Sequence, residues 1–493
     1  MVQSLIPLDY PDIDVIRVGD TYYIVSTTMH FMPGCEILES KDLHHWKHTT
    51  YVYDRLEDTP EENLQDGKNA YGKGMWAASL RYHKGTFYMC FVANDTGKTY
   101  LYQTNDIKGE WKRQEIEGFY HDCSLLFDDD DRVYIVYGNR QLYLTELNED
   151  LTAPKQGGLH RVIVEDTKEA LLGYEGSHLY KIDGRYYLFL IHSLAERWMR
   201  AQACYVADSL EGEFTGRDVF VNDIGYCGSG VAQGGIVDTP DGDWYAILFQ
   251  DRGAVGRIPV LVPVTWGEDF GKPFPDFLDP RERDWSFSYE GLAESDDFTT
   301  TDGESFGFKS CWQFNHNPDL SLVKVENKAV HFTTKDICTD LLQAKNTLTQ
   351  RMKFPESDVC VTLDASKMQV GDRAGLCALQ GCYGALTVVR EEDGFYLEVN
   401  TRSKSKDGFE EKVSERVSLS DAKVMLRIVC NFDHMKDTAT FYYLDWETGN
   451  WKEIGSPHKL IFGLDHFTGC RAGLFYYSTV TPGGTVSFSD FKN

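Results

Sequence analysis

The sequence lacks any apolar run long enough to cross a membrane, and its start, MVQSLIPLDYPDIDV, lacks the basic and apolar stretches of a signal peptide. It is also poor in positive charge, with 49 Lys and Arg against 77 Asp and Glu, a net charge of −28. Such a surface repels phosphate backbones and anionic lipid headgroups. We therefore expect no nucleic-acid partner, no membrane contact and a cytoplasmic location.

The twelve cysteines are scattered and form neither a CxxC motif nor a Cys/His spacing typical of zinc sites. We interpret them as reduced thiols of the core. Aromatic residues, in contrast, are abundant, with 28 Tyr and 28 Phe among 493 residues. This composition favours β-strands and surfaces on which sugars stack.

Five segments in the first half of the chain repeat one pattern, which is an apolar alternating run, a tight polar turn and a second aromatic or β-branched run. They are residues 14–27, 79–92, 124–138, 178–191 and 235–249. Each is typical of a β-hairpin, and the turns recur 46 to 66 residues apart. A period of this size made of strands indicates propeller blades. The pattern predicts a five-bladed β-propeller over residues 1–270, with a generic all-β sandwich as the alternative.

The second half of the chain has a different organisation. Residues 271–297 are rich in Pro, Gly and charge, and we interpret them as a linker that wraps back over the propeller. From 298 to 493 many short alternating strands follow one another, which predicts a β-sandwich accessory domain. No acidic pair stands out there, so we expect it to be non-catalytic. Either it only stabilises the propeller, or a loop such as 465–473 closes the pocket.

The repeat also predicts where a functional site lies. The innermost strand of each blade runs along the propeller axis, so residues at one offset before each turn converge at one mouth of the channel. Nine positions before the five turns stand Tyr10, Trp76, Asp122, Glu175 and Gln233. Asp12 lies two residues after Tyr10 on the same strand. Three carboxylates and an indole make a poor core, because buried charges are costly unless they are paired or used.

The three carboxylates suit glycosidic bond cleavage with inversion, which needs a protonated carboxyl and a carboxylate on opposite faces of the sugar. Glu175, between a tyrosine and glycines, suits the acid because such surroundings raise a carboxyl pKa. Asp12 suits the base, with Asp14 as a rival, and Asp122 would tune the acid. Each acid alone could instead be a turn acceptor or a solvated surface residue, and Trp76 is either a core residue or a sugar platform.

Several of these segments together resemble family 43 of the glycoside hydrolases, in its β-xylosidase and α-L-arabinofuranosidase branch. They include YPDIDVIRVGD, GMWAASLRY, HDCSLLFDDDDRVYIVYG and GYEGSHLYKIDGRYYLF. The resemblance implies an all-β fold, a five-bladed β-propeller followed by a concanavalin-like β-sandwich. It matches Asp12 to the base, Asp122 to the pKa-modulating aspartate and Glu175 to the acid. It implies an inverting exo-glycosidase that removes terminal non-reducing β-D-xylosyl or α-L-arabinofuranosyl residues from (arabino)xylo-oligosaccharides.

The resemblance extends to the binding pocket, with departures. Arg257 matches an arginine that contacts sugar hydroxyls, and Met29 and Phe31 match positions of the pocket wall. The usual DPS at the base is DID here, and the usual WAPD is WAAS beside Trp76. Gln233 stands where relatives place a histidine, often near a bound cation. No cofactor is required for the chemistry, and a Ca²⁺ ion in the channel is left open.

Two other functions are weighed against this one. A retaining fructosidase-like enzyme would want an NDPN start and an EC pair, and neither is present. A non-catalytic carbohydrate-binding propeller would have no need for all three acids. The sequence does not choose between xylose and arabinofuranose, and it leaves a homo-oligomer open. The expected partners are pentose-containing oligosaccharides, and the expected role is xylan degradation.

Overall fold

The computed structural model describes residues 4–166, 170–301, 303–406 and 408–493. Its strands form seven sheets, five in the first half of the chain and two larger ones in the second. Within the described ranges there is no α-helix, and no helix is long and apolar enough to cross a bilayer. The short 3₁₀ helices are Gly253–Val255, Pro280–Glu282, Leu320–Leu322, Leu341–Gln343 and Asp433–Met435. The predicted all-β architecture of propeller and sandwich is confirmed.

The first two blades are antiparallel meanders. The strands up to residue 116 are β1 (Asp14–Val18), β2 (Thr21–Val25), β3 (Phe31–Met32), β4 (Gly34–Ser40), β5 (His45–Tyr53), β6 (Met75–His83), β7 (Thr86–Ala93), β8 (Lys98–Thr104) and β9 (Lys112–Ile116). Strands β1, β2, β4 and β5 form the first blade, and β6 to β9 form the second.

The other three blades end at residue 277. Their strands are β10 (Ser124–Phe127), β11 (Val133–Tyr137), β12 (Gln141–Glu146), β13 (His160–Glu165), β14 (Glu175–Ile182), β15 (Arg185–Ser193), β16 (Arg200–Ala207), β17 (Thr215–Phe220), β18 (Val231–Ala232), β19 (Ile236–Asp238), β20 (Trp244–Asp251), β21 (Arg257–Asp269) and β22 (Lys272–Phe277). The third blade is β10 to β13 and the fourth β14 to β17. In the fifth, β18 and β19 both pair with β20, followed by β21 and β22.

The hairpin between β14 and β15 shows why the repeated segments fold in this way. Asp183 and Gly184 both have positive φ, 48° and 77°, and Ile182 pairs with Arg185 across them. An Asp-Gly pair favours this two-residue turn, whose twist matches that of the flanking strands. All five repeated segments form such antiparallel pairs at the inner edge of a blade.

Two strands lie inside the segment that the sequence analysis takes as a linker. Strand β22 contains Pro273 and Pro275, whose missing N–H groups are tolerated because β22 is an outer strand with one neighbour. Strand β23 (Ser288–Glu290) pairs in parallel with β5 and adds a fifth strand to the first blade. The Pro-rich composition therefore conceals the last strand of the propeller and a strap along its first blade.

The second half is a sandwich of two sheets. Its strands are β24 (Gln313–Asn315), β25 (Val323–Glu326), β26 (Ala329–Thr333), β27 (Leu348–Arg351), β28 (Glu356–Asp364), β29 (Asp372–Leu379), β30 (Gly384–Glu391), β31 (Gly394–Ser405), β32 (Gly408–Leu419), β33 (Lys423–Asn431), β34 (Thr438–Asp445), β35 (Asn450–Glu453), β36 (His458–Lys459), β37 (Arg471–Ser478) and β38 (Thr485–Lys492). One sheet has the order β3-β24-β27-β37-β29-β30-β31-β32. The other has the order β25-β26-β38-β28-β33-β34-β35, with β36 beside β34.

The two halves are joined by a shared sheet and by a buried ion pair. Strand β3 of the propeller half pairs with β24, so one sheet of the sandwich ends in the propeller. Arg351 of β27 lies 2.7 Å from Glu36 of β4, and its guanidinium packs on the ring of Tyr10 at 4.1 Å. Although burial acts in the opposite direction, Arg351 and His48 lower the pKa of Glu36 to about 2. The interface is therefore built of charges that would be exposed or unpaired if the halves separated.

Most of the cysteines behave as expected from their scattered positions. All twelve are free thiols, and nine of them are buried. Cys123 packs beside Cys90 with a sulfur–sulfur distance of 3.6 Å, well beyond a covalent bond. The nine buried thiols serve as small apolar residues of the cores, whereas Cys227 is exposed and Cys338 and Cys360 are half-buried, so the interpretation as core residues is wrong for these three.

Candidate active site

Three carboxylates from different blades meet at the axis of the propeller. Asp12 lies just before β1 of the first blade, Asp122 lies just before β10 of the third, and Glu175 begins β14 of the fourth. Asp12 and Asp122 are 8% and 6% exposed, and both line one small cavity of about 10 Å³. The structure thus brings together the three acids that the sequence singles out.

A residue with left-handed backbone conformation stands near the start of the innermost strand of each blade. The five have φ between 34° and 64°, and all of them line the same cavity. They are Asp12, Ala77, Asp122, Gly176 and Gln233. For a residue other than Gly, such a conformation costs about 1–3 kcal/mol, and strain of this kind clusters at functional sites.

The offset of nine residues is wrong for the first blade. Tyr10 is fully buried, and its hydroxyl donates to Glu36 Oε2 at 3.2 Å, in the interface with the sandwich. Asp12 takes the equivalent position at the axis. The first blade reaches its hairpin turn in seven residues from Asp12, whereas the third blade needs nine from Asp122.

His121 links two of the acids. Its Nε2 lies 3.7 Å from Asp122 Oδ1 and 3.5 Å from Glu175 Oε2. Asn139 Nδ2 also donates to Glu175 Oε2, so this oxygen faces two nitrogen groups. The orientation of the Glu175 side chain is therefore set by residues of the third blade.

Burial and charge raise the pKa values of two groups in this cluster. Burial, together with the negative charges of Glu175 and Asp12, raises the pKa of Asp122 to about 7, against the opposite effect of His121. The charge of Asp122, aided by Glu175, raises the pKa of His121 to about 9 in spite of burial. Asp122 carries its raised pKa because its carboxyl is buried, 6% exposed, beside two other acids.

Arg257 connects Asp12 to the sandwich. Its Nη1 lies 2.9 Å from Asp12 Oδ1, its Nη2 donates to the carbonyl oxygen of Phe467 at 3.3 Å, and its guanidinium stacks on the Phe467 ring at 4.6 Å. Asp9 accepts hydrogen bonds from the backbone N–H groups of Arg257 and Gly469, both at 2.7 Å. The position of the Arg257 charge beside Asp12 therefore depends on both halves of the chain.

Asp14, the rival to Asp12, is engaged elsewhere. It is fully buried, its Oδ2 accepts from Arg81 Nη1 at 2.5 Å and from Leu80 N at 2.8 Å, and its Oδ1 lies 3.0 Å from His178 Nδ1. Although burial acts in the opposite direction, Arg81 and His178 lower the pKa of Asp14. Asp14 therefore holds neighbouring blades together and has no oxygen facing solvent.

Trp76 stands between the acid cluster and a loop of the sandwich. Its ring lies 5.4 Å from that of Phe467 and 6.2 Å from that of His121, and it is half-buried. Phe467 belongs to the segment 465–473 that the sequence analysis offers as a loop closing the pocket. The structure brings this loop to the site, where Phe467 and Trp76 form adjacent walls.

The other predicted binding residues lie deeper. Met29 and Phe31 are each 1% exposed; Met29 pairs through its backbone with Met75, and Phe31 lies beneath the guanidinium of Arg471 at 3.6 Å. Gln233 is buried and lines the cavity at the axis. Substrate contact by Met29, Phe31 or Gln233 stays a prediction.

Comparison with protein families decides which family the chain belongs to. A model described as glycosyl hydrolases family 43 matches residues 3–272, more than half of the chain. The chain belongs to glycoside hydrolase family 43. A second model, described as the β-xylosidase C-terminal concanavalin A-like domain, matches residues 295–492. The resemblance inferred from the sequence is confirmed, and this family 43 chain is a glycoside hydrolase whose relatives include proteins named as a β-xylosidase and as an arabinofuranosidase.

Individual relatives agree with this membership. The chain is 24% identical to a β-xylosidase of Formosa agariphila, over 99% of this chain and 89% of that one. It is 27% identical to a non-reducing end α-L-arabinofuranosidase of Bacteroides ovatus, over 66% and 65%. A solved bifunctional GH43-CE protein of Bacteroides eggerthii is 40% identical with a TM-score of 0.91. The alignment covers all of this chain and 63% of that protein, so the family 43 chain spans less than two thirds of its length.

Three residues of this family 43 site are missed by the sequence analysis. His121 directly precedes Asp122 in HDC, and the adjacency of a titratable ring to a channel carboxylate is the signal that could have found it. Phe467 lies in the loop 465–473 that the sequence analysis offers, but it is not singled out there, and Asn139 has no signal at all. Asn139 reaches Glu175 from another blade, and Phe467 comes from the other half of the chain.

The axial cavity bears on the open question of calcium. Ca²⁺ takes six to eight oxygen ligands, some of them usually waters, whereas about 10 Å³ holds a single water. His121, Asp122 and Glu175 have ligand atoms within 4.8 Å of one another, but an imidazole is not a ligand that calcium prefers. The residues present therefore do not fit a hydrated calcium ion.

We predict that the chemistry of this family 43 enzyme needs no metal. Exhaustive treatment with a chelator should leave kcat/KM unchanged, because the acids and the arginine of the site are all supplied by the chain. The measurement is the initial rate before and after chelation, with elemental analysis of the protein. A loss of rate that added Ca²⁺ restores would instead place the ion in the channel.

Proposed function

We propose that this family 43 enzyme is an inverting exo-glycosidase that removes terminal non-reducing β-D-xylosyl or α-L-arabinofuranosyl residues from (arabino)xylo-oligosaccharides. The observation that carries the proposal is the arrangement of charges at the axis. Asp12 faces the cation of Arg257, and Glu175, on another blade, faces the nitrogen groups of His121 and Asn139. An inverting hydrolase needs one carboxyl that donates a proton and one carboxylate that accepts a proton, separated by enough space for a water molecule.

In the proposed mechanism, Asp12 is the general base. A water molecule attacks the anomeric carbon of the terminal sugar, and Asp12 takes a proton from that water as the new C–O bond forms. The hydrogen bond from Arg257 Nη1 to Asp12 Oδ1 fixes the direction of the carboxylate. In this proposal the other carboxylate oxygen of Asp12, Oδ2, accepts the proton from the water.

Glu175 is the proposed general acid. It gives its proton to the glycosidic oxygen as the bond to the anomeric carbon breaks, so the leaving sugar departs as a neutral alcohol. Asn139 and His121 orient its Oε2. Asp122 is the proposed modulator of the acid, a third charge that tunes Glu175 and holds its orientation, with His121 between the two carboxyls. After each turnover Asp12 releases to solvent the proton that it took from water, and Glu175 takes up a proton from solvent.

Exo action and substrate class are supported by the walls of the site. Phe467 and Trp76 stand side by side next to Arg257, and a terminal pentose can stack on such aromatic faces. Relatives named as a β-xylosidase and as an α-L-arabinofuranosidase support a pentose substrate. Action on imported oligosaccharides in the cytoplasm, as part of xylan degradation, completes the proposal.

The stereochemistry of the product tests the mechanism without any mutation. If Asp12 activates a water across the sugar from Glu175, the first sugar released has the inverted anomeric configuration. NMR of the first product, recorded before mutarotation, measures it. Retention, or transfer of the sugar to added methanol with retained configuration, would mean that a carboxylate attacks directly, as in the fructosidase-like alternative.

The substrate class needs a separate comparison. Initial rates on aryl β-D-xyloside and aryl α-L-arabinofuranoside, beside plain and arabinose-decorated xylo-oligosaccharides, rank the two pentoses. We expect release of single pentoses from the non-reducing end. Release of internal fragments from the plain oligosaccharides would contradict exo action.

A further inference from the structure

Trp198 is a large aromatic side chain that the fold leaves in solvent. It lies between β15 and β16 of the fourth blade, in a loop closed by a hydrogen bond from Leu194 N to Met199 O at 3.0 Å, and it is 53% exposed. The guanidinium of Arg200 packs against its ring at 5.4 Å. An exposed indole held by a cation on one side presents a fixed apolar surface on the other.

Arg200 connects this indole to the active site. Its Nε donates to Asp251 Oδ2 at 2.6 Å, and its guanidinium stacks on the ring of Phe249 at 5.2 Å. Arg257, which contacts the proposed base, packs on the same Phe249 ring at 5.4 Å. The two arginines therefore share one aromatic neighbour, so a chain of ring and guanidinium contacts runs from Trp198 to the arginine beside the proposed base.

The loop is also tied to the strand that carries the proposed acid. Leu172 N donates to Ser193 Oγ at 2.8 Å, and Ser193 N donates to Leu172 O at 3.0 Å. Residue 172 lies three positions before Glu175. The neighbouring Leu171 is 64% exposed, so a second apolar side chain lies beside the root of the Trp198 loop. The Trp198 loop is therefore bonded to the segment that leads into the proposed acid.

We propose that Trp198 is a platform for the sugar unit on the leaving-group side of the scissile bond. The assignment rests on the proposed function and deepens it by naming a residue that selects oligosaccharides over short glycosides. A pentose ring presents C–H groups that stack on an indole face, and the area that Trp198 exposes is of that kind. Arg200 holds the platform in place by packing behind it.

The test compares a substrate that has a leaving sugar with one that has none. Trp198→Ala should lower kcat/KM on xylotriose by about tenfold, mainly through KM, because the stacked leaving sugar is lost. On β-D-xylosyl fluoride or α-L-arabinofuranosyl fluoride, whose leaving group has no ring, kcat/KM should stay within about twofold of wild type. Trp198→Phe, which keeps an aromatic face, should restore most of the loss on xylotriose.

Trp446→Ala is the matched control. Trp446 is 54% exposed on the sandwich, where its Nε1 donates to Lys423 O at 3.2 Å. The Trp446→Ala variant should leave kcat/KM unchanged on both substrates. An equal loss on fluoride and xylotriose in Trp198→Ala would overturn the assignment, because Trp198 would then act only through Arg200. Unchanged kinetics on both would overturn it as well. A wild-type enzyme that cleaves neither pentoside would overturn the proposed function, and this assignment with it.

Discussion

Replacing Asp12 by Asn should abolish turnover on every substrate, with kcat falling by about 10³–10⁴-fold. The amide keeps the hydrogen bond from Arg257 but cannot accept a proton from water, and water activation is needed whatever the leaving group. The loss should therefore be the same on xylo-oligosaccharides, aryl pentosides and pentosyl fluorides. Steady-state kinetics on the three kinds of substrate measure it.

Asp14→Asn is the control for this variant, because it makes the same chemical change two residues further on. Asp14 is bonded to Arg81 and His178 inside the channel wall, so its replacement should lower thermal stability. Activity for each folded molecule should fall far less than in Asp12→Asn. If instead Asp14→Asn proves the more damaging to kcat in protein shown to be folded by circular dichroism, the base is misplaced by two residues.

Replacing Glu175 by Ala should produce a loss that depends on the leaving group. On xylo-oligosaccharides kcat should fall by about 10²–10⁴-fold, because the departing alcohol needs a proton. On pentosyl fluorides and on aryl glycosides with acidic phenols much more of the rate should survive, because these groups leave without one. The measured quantity is the ratio of kcat on the two kinds of substrate, for the variant and for wild type.

Two further variants separate acid chemistry from packing. Glu175→Gln keeps an oxygen for Asn139 but is not an acid, so it should show the same dependence on the leaving group. Glu165→Ala removes an exposed carboxylate that contacts Gln141 at the surface of the third blade, and it should leave all rates unchanged. Equal loss on both substrate kinds in Glu175→Ala would reject the acid assignment.

The propeller was predictable because each inner hairpin carries its own local signal. The Asp-Gly turn at 183–184 and the alternation around it depend on nearby residues alone, and the structure has a hairpin at every segment so identified. The pairing of β3 with β24 was not predictable. Two residues of one strand meet a partner about 280 positions later, and neither segment has a pattern that requires the other.

The site was predictable to the extent that it repeats with the blades. Asp122 and Gln233 stand at the left-handed axial positions of their blades, and Glu175 directly precedes that of the fourth, Gly176. The shorter approach to the first turn moves the axial position from Tyr10 to Asp12. Contacts between blades do not repeat. Asn139 contacts Glu175, and the two arginines share Phe249, because the blades are arranged in a circle around the axis. No single blade encodes that arrangement.

Asp9 has a consequence for how the enzyme comes into being. Its carboxylate accepts from Arg257 N at the start of β21 and from Gly469 N in the sandwich loop 465–473. During synthesis the first of these partners emerges from the ribosome long after Asp9, and the second far later still. A nascent propeller with every blade in place would still lack Phe467 and the final anchor of the Arg257 strand. Incomplete translation products would therefore be catalytically silent, and competence would appear only when the sandwich docks.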